Sequence, residues 1–67
     1  MKNTIKVERA KNDLTQSDLA ERLEVSRQTI NSIEKGKYIP STKLALKMAR
    51  VFRVRVEDLF ILEDPED

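Results

Sequence analysis

From residue 15 to residue 36 the chain reads Thr15-Gln16-Ser17-Asp18-Leu19-Ala20-Glu21-Arg22-Leu23-Glu24-Val25-Ser26-Arg27-Gln28-Thr29-Ile30-Asn31-Ser32-Ile33-Glu34-Lys35-Gly36, and the architecture turns on this stretch. Thr15 reads as a helix N-cap. Its hydroxyl can accept an orphan first-turn amide, and Asp18, third in the helix, adds a carboxylate near the positive helix end. Leu14 before the cap and Leu19 at the fourth helical position form a hydrophobic staple. Ser26 repeats the device, with Val25 before it and Ile30 at the staple position. Gly36 closes the second helix as its left-handed residue. Only Glu24-Val25-Ser26 separates the two helices, so they cross steeply and need close contact. Ala20 sits where a larger side chain would push them apart. Leu19, Leu23, Val25, Ile30 and Ile33 supply the shared core. The spacing predicts a helix-turn-helix over residues 16–35; a helical hairpin inside an unrelated bundle is the alternative.

Three more helices flank this pair. The first runs from about Thr4 to Asn12 on a weak apolar pattern of Ile5 and Val7. Arg9, one turn after Ile5, should point partly inward. Pro40-Ser41 starts the fourth helix with Ser41 as cap. There Leu44, Ala45, Met48, Ala49, Val51 and Phe52 cover more than half the circumference, which predicts a central position. Lys43, Lys47 and Arg50 form its wet stripe. A fifth short helix starts near Val56 and ends near Phe60. Phe60-Ile61-Leu62 reads as a short extended piece, since Pro65 disfavours any longer helix, and residues 1–4 are a candidate pairing partner.

The chain has 67 residues and a mass of 7.8 kDa. Such a chain makes one small domain, which buries only about 60% of its unfolded surface, so a partner subunit would help. It has no Cys and no His, which removes disulfides, thiolate metal sites and the usual proton-transfer side chain. At 39% apolar it is not a disordered composition. The longest apolar run is Leu59–Leu62, so no membrane span is expected, and no secretory leader is visible. With one Gly and scattered carboxylates, no nucleophile–base pair, zinc site or phosphate cradle can be assembled, and no enzyme is expected. No cofactor and no small-molecule ligand are indicated.

The formal charge of +1 hides an asymmetry. Residues 1–55 hold all 13 Lys/Arg and six of the 12 Asp/Glu, a balance of +7, whereas residues 56–67 hold six acids and no base. A basic body with an acidic end fits a polyanion-binding surface and a segment turned away from it. Mixed charge kept for solubility is the plainer reading.

The outward face of the helix over residues 27–35 favours the first. Arg27, Gln28, Thr29, Asn31 and Ser32 are candidate base readers. Arg can pair bidentately with guanine O6/N7, and Gln with adenine N6/N7, in the major groove. The rim formed by these residues lacks carboxylates. Gln16, Ser26, Lys35, Lys37 and Tyr38 are candidate phosphate contacts. Singly, each could be a solvated surface residue; as a group on one face they point to double-stranded DNA.

The blocks Gln16–Leu23, Val25–Tyr38 and Pro40-Ser41 resemble helix-turn-helix regulators of the phage-repressor/Cro type, the XRE family. The resemblance runs from about Ile5 to Phe60 and is closest to short stand-alone members, which act as homodimeric repressors in prokaryotes. It implies an all-α, five-helix repressor-like DNA-binding domain whose second and third helices engage DNA. It implies base contacts from Arg27, Gln28 and Ser32, and phosphate contacts from Gln16 and Ser26. It also implies an ion pair between Arg9 and Glu34, tying helix one to the end of the reading helix. The family often has Gly where this chain has Asp13, Glu24 and Arg53, helix-end positions whose left-handed backbone costs another residue about 1 kcal/mol. It often has Ser or Thr at position 55, here Arg, and Asp or Asn at position 39, here Ile.

One reading helix spans few base pairs, so such domains pair across a two-fold axis. A single small core cannot easily take four consecutive apolar residues. Leu59 and Phe60 are expected mainly to close the core, and Leu59, Ile61 and Leu62 to furnish the homodimer contact. Residues 1–62 would then be one DNA-binding and dimerisation domain, with 63–67 an acidic tail frayed after Pro65. The expected function is a cytoplasmic, nucleoid-associated, sequence-specific repressor on a palindromic operator. The alternative is an antitoxin or protein-bridging module, against which stands the short segment after Phe60.

Overall fold

The structure, a computed structural model, describes residues 1–63. Its elements are β1 (Lys2–Asn3), α1 (Ile5–Lys11), α2 (Gln16–Leu23), α3 (Arg27–Glu34), α4 (Thr42–Phe52), α5 (Val56–Leu59) and β2 (Phe60–Ile61). The five expected helices are present. The extended piece at Phe60 pairs antiparallel with the N-terminus, Lys2 opposite Ile61 and Asn3 opposite Phe60. Residues Asp64–Asp67 of the acidic tail, with the expected fraying after Pro65, lie outside the described residues.

Side-chain oxygens start three of the helices. Thr15 and Asp18 make a reciprocal capping box, Asp18 N–H donating to Thr15 Oγ1 and Thr15 N–H to Asp18 Oδ2, both at 3.0 Å. Ser26 Oγ accepts the Thr29 amide at 3.0 Å, and Ser41 Oγ accepts the Leu44 amide at 3.1 Å. Arg55 has no acceptor to offer at the start of α5, so only half of a box forms there: Asp58 reaches back to the Arg55 amide at 3.2 Å. Thr4 does not cap α1 with its side chain. Its hydroxyl donates instead to Asp58 O and its amide to Leu59 O, which binds the N-terminus to α5.

Four helices end the same way. Asp13, Glu24, Gly36 and Arg53 all have φ between +58° and +75°. Each is followed by a residue whose amide reaches back five positions: Leu14 to Arg9, Val25 to Ala20, Lys37 to Ser32 and Val54 to Ala49. These are Schellman closures, and only Gly36 adopts the left-handed backbone without steric cost. Leu14, Val25 and Val54 pack against the core. Each therefore finishes one helix and, standing just before the next cap, begins another.

The core comprises Ile5, Leu19, Ala20, Leu23, Ile30, Ile33, Met48, Phe52 and Leu59. All five helices contribute. Leu59, expected both to close the core and to share in the dimer contact, does only the first and is fully buried. The turn between α4 and α5 rotates it onto the inside, so it belongs to the protomer and cannot meet a partner. No described helix is long and apolar enough to cross a membrane.

Candidate nucleic-acid interface

Capping of α3 by Ser26 sets the chain direction so that Arg27 and Gln28 open the helix, both exposed. Ile30 and Ile33, three apart, hold the opposite face in the core. Asn31 and Ser32 fall between these faces and are half-buried. Gln16, Arg27, Gln28 and Asn31 line one open concavity between α2 and α3, with no carboxylate on its lining among the described residues. Four of the residues singled out in the sequence thus come together there.

The others divide. Thr29 lies round the side of α3, lining a second depression with Tyr38, Lys43 and Lys47. Its hydroxyl is 2.8 Å from Ser26 Oγ, so both hydroxyls are engaged in the cap. Lys35 borders a third depression, formed with residues Lys2, Gly36, Ile61 and Glu63 at the far end of α3. Lys37 is exposed on the turn after α3. Lys43 and Lys47 were legible in the sequence only as a solvated stripe. Their place beside the start of α3 depends on how α4 crosses, which no local pattern encodes.

Beneath the concavity lies a polar cluster. Arg9 donates to Glu34 through Nε at 2.6 Å and Nη2 at 3.1 Å, and through Nη1 to Leu14 O at 3.1 Å. The side chains are 15% and 9% exposed. The bidentate bond to Glu34 raises the Arg9 pKa above the ordinary guanidinium value, against an opposing desolvation. Gln16 Nε2 donates to Glu34 Oε1 at 3.2 Å and to Asn31 Oδ1 at 3.3 Å. Both amide hydrogens of Gln16 are thereby used inside the protein. Glu34 is not a surface acid, and its charge is matched by Arg9 rather than left to repel a phosphate.

Asn3 extends the network. Its Nδ2 donates to Ile33 O at 2.9 Å, and its Oδ1 accepts the Ile5 amide at 3.2 Å. The N-terminal strand is thus fastened to the end of α3, a role without a sequence signature.

A helix-turn-helix family model matches residues 5–59. The chain belongs to the XRE-type helix-turn-helix family. It is 62% identical over 66 residues to an HTH-type transcriptional regulator of Methanocaldococcus jannaschii, covering 98% of this chain and 100% of that one. It is 47% identical over 64 residues to the HTH-type transcriptional regulator YgzD of Bacillus subtilis, covering 96% and 97%. Among solved structures it resembles the clp gene regulator ClgR of Corynebacterium glutamicum, with TM-score 0.73 and 26% identity. That match covers 81% of this chain and 57% of ClgR, so the chain spans little more than half of ClgR's length. Members of this XRE-type family are transcriptional regulators with a DNA-binding helix-turn-helix, not a class of enzyme.

Proposed function

We propose that the chain is a sequence-specific repressor that binds double-stranded DNA as a homodimer, with α3 in the major groove of each half of a palindromic operator. The observation that carries this reading is the concavity shared by Gln16, Arg27, Gln28 and Asn31. Among the described residues it offers donors and amides and no carboxylate, with Arg27 and Gln28 exposed at the helix start. Arg27 and Gln28 supply the bidentate chemistry for guanine and adenine. Ser32, half-buried on α3, is a further proposed base reader, whereas Thr29 lies round the side with its hydroxyl in the cap. Tyr38, Lys43 and Lys47 line the depression that holds Thr29 and Lys35 lies at the far end of α3; with Lys37 they are the proposed phosphate contacts. Cytoplasmic, nucleoid-associated residence and repression by occlusion follow from this reading.

Dimerisation draws support from an apolar groove on the face made by α4, α5 and β2. Pro40, Ala45, Leu46, Phe60, Ile61 and Leu62 line it, and Leu46 and Leu62 are 57% and 63% exposed. A two-fold contact uses the same patch on both copies, so a self-complementary apolar groove suits it. The protomer measures 33 × 22 × 20 Å. Pairing through this groove is proposed to set the two α3 helices at half-sites one turn apart, about 34 Å. Residues 1–62 then form a single binding and dimerisation unit, with the acidic tail following.

The test is binding to an operator selected from random DNA. Gln28→Ala should lose about 1–3 kcal/mol on the selected site and little on unrelated duplex. Equal weakening on both would remove Gln28 from base reading. The same groove could seat a partner protein, as in an antitoxin or bridging module. A monomer at micromolar concentration in analytical ultracentrifugation would favour that reading.

A further inference from the structure

We infer that Glu34, without touching DNA, excludes cytosine from the base that Asn31 faces, by fixing which end of the Asn31 amide points outward. The inference rests on the proposed role of Asn31 as a base reader. It begins from a group with no ambiguity. A carboxylate without a proton only accepts, and both Glu34 oxygens already accept from Arg9. The end of Gln16 that stands 3.2 Å from Glu34 Oε1 must therefore be its nitrogen. The second hydrogen on that nitrogen points at Asn31, 3.3 Å away, which must receive it with its oxygen. Direction is thus passed along four side chains: Arg9 donates to Glu34, Gln16 donates to Glu34 and to Asn31, and Asn31 is left with Nδ2 on the side away from Gln16.

An isolated Asn can turn either end to a base. With oxygen outward it accepts from cytosine N4 or adenine N6; with nitrogen outward it donates to guanine O6 or N7, adenine N7 or thymine O4. A flip here would bring Asn31 Nδ2 against Gln16 Nε2, two donors face to face in a half-buried site, and would leave one Gln16 hydrogen without an acceptor. Cytosine presents only a donor at its major-groove edge, so the held amide has nothing to offer it. Glu34 and Gln16 are positioning residues in this scheme; Asn31 makes the contact.

The experiment is a competition among the four base pairs at the operator position whose preference relaxes in Asn31→Ala. The full-length wild type should disfavour cytosine there by on the order of tenfold. Gln16→Met, close in length but without hydrogen-bonding hydrogens, should bring that penalty below about threefold relative to the other base pairs at that position, whatever overall affinity is lost with the Gln16 phosphate contact. Gln16→Lys donates to both Glu34 and Asn31 and should retain the penalty; a merely structural role for Gln16 would not separate Met from Lys. If Gln16→Met does not melt cooperatively, Gln16→Ala takes its place. Cytosine accepted by the wild type at that position, or a penalty unchanged on removing the Gln16 amide, overturns the inference alone. Asn31→Ala leaving every position unchanged overturns it together with the reading of Asn31. Failure to retain any duplex would instead sink the proposed function.

Discussion

Glu34 and Arg9 carry the heaviest single-residue consequence. Their pair is mostly buried, so removing one partner leaves the other charged and unpaired. Glu34→Ala should cost about 2–4 kcal/mol, measured by urea unfolding. A domain this small has about 3–10 kcal/mol in total, so the variant should be close to unfolded at physiological temperature. A loss below about 0.5 kcal/mol would make the pair an ordinary surface contact. Glu24 and Arg53 carry the opposite sign. Both hold φ of 58°, which favours glycine. Glu24→Gly should relieve about 1 kcal/mol of left-handed strain and lose about half of that to the greater freedom of the unfolded chain. A small net rise in the urea midpoint is expected, and a fall would mean the Glu24 side chain makes a contact outweighing its strain.

At the level of elements, caps matter more than propensity, because helices of four to eleven residues are too short to stand alone. Ser26→Ala should cost about 1 kcal/mol of stability and weaken operator binding further, because the turn it releases carries Arg27 and Gln28. Binding unaffected in a variant of lowered stability would show that α3 holds its first turn without the cap. Two caps also set the acid response. Hydrogen bonds from the Thr15 amide and hydroxyl hold the Asp18 carboxyl below its usual pKa, and the Arg55 guanidinium and amide do the same for Asp58. A folded-state pKa below the unfolded one means stability that is complete above about pH 4 and is lost as the pH falls through the folded values. The melting temperature should therefore hold level from pH 7 to pH 5 and drop below pH 4. Asp18→Asn should flatten part of that drop, and an unchanged acid limb would assign it to other carboxylates.

Across the whole molecule, the α3 concavity and the apolar groove share no lining residue, so DNA binding and pairing can be separated by mutation. Leu46→Asp puts a charge in the groove and leaves α3 untouched. It should give a monomer in analytical ultracentrifugation and lower operator affinity, with the melting transition kept cooperative. An unchanged dimer would move the interface elsewhere. Ile61→Asp tests the same face from β2, although Ile61 also pairs with Lys2, so some loss of stability is expected there.

The helices, their caps and the inward positions of Leu19, Leu23, Ile30 and Ile33 were readable in the chain, because capping and staple contacts join residues three to five apart. So was the outward rim of α3, since the apolar face fixes the polar one. Contacts between distant segments were decided by the packed molecule. Leu46 turned outward because the α4–α5 crossing sets which side of α4 is covered, and its apolar run does not specify that angle. Asn3 on the end of α3, and the direction passed from Glu34 through Gln16 to Asn31, join residues 15 to 30 apart. Such hydrogen bonds exist only where the core brings their atoms within about 3 Å, and no spacing along the backbone foretells them.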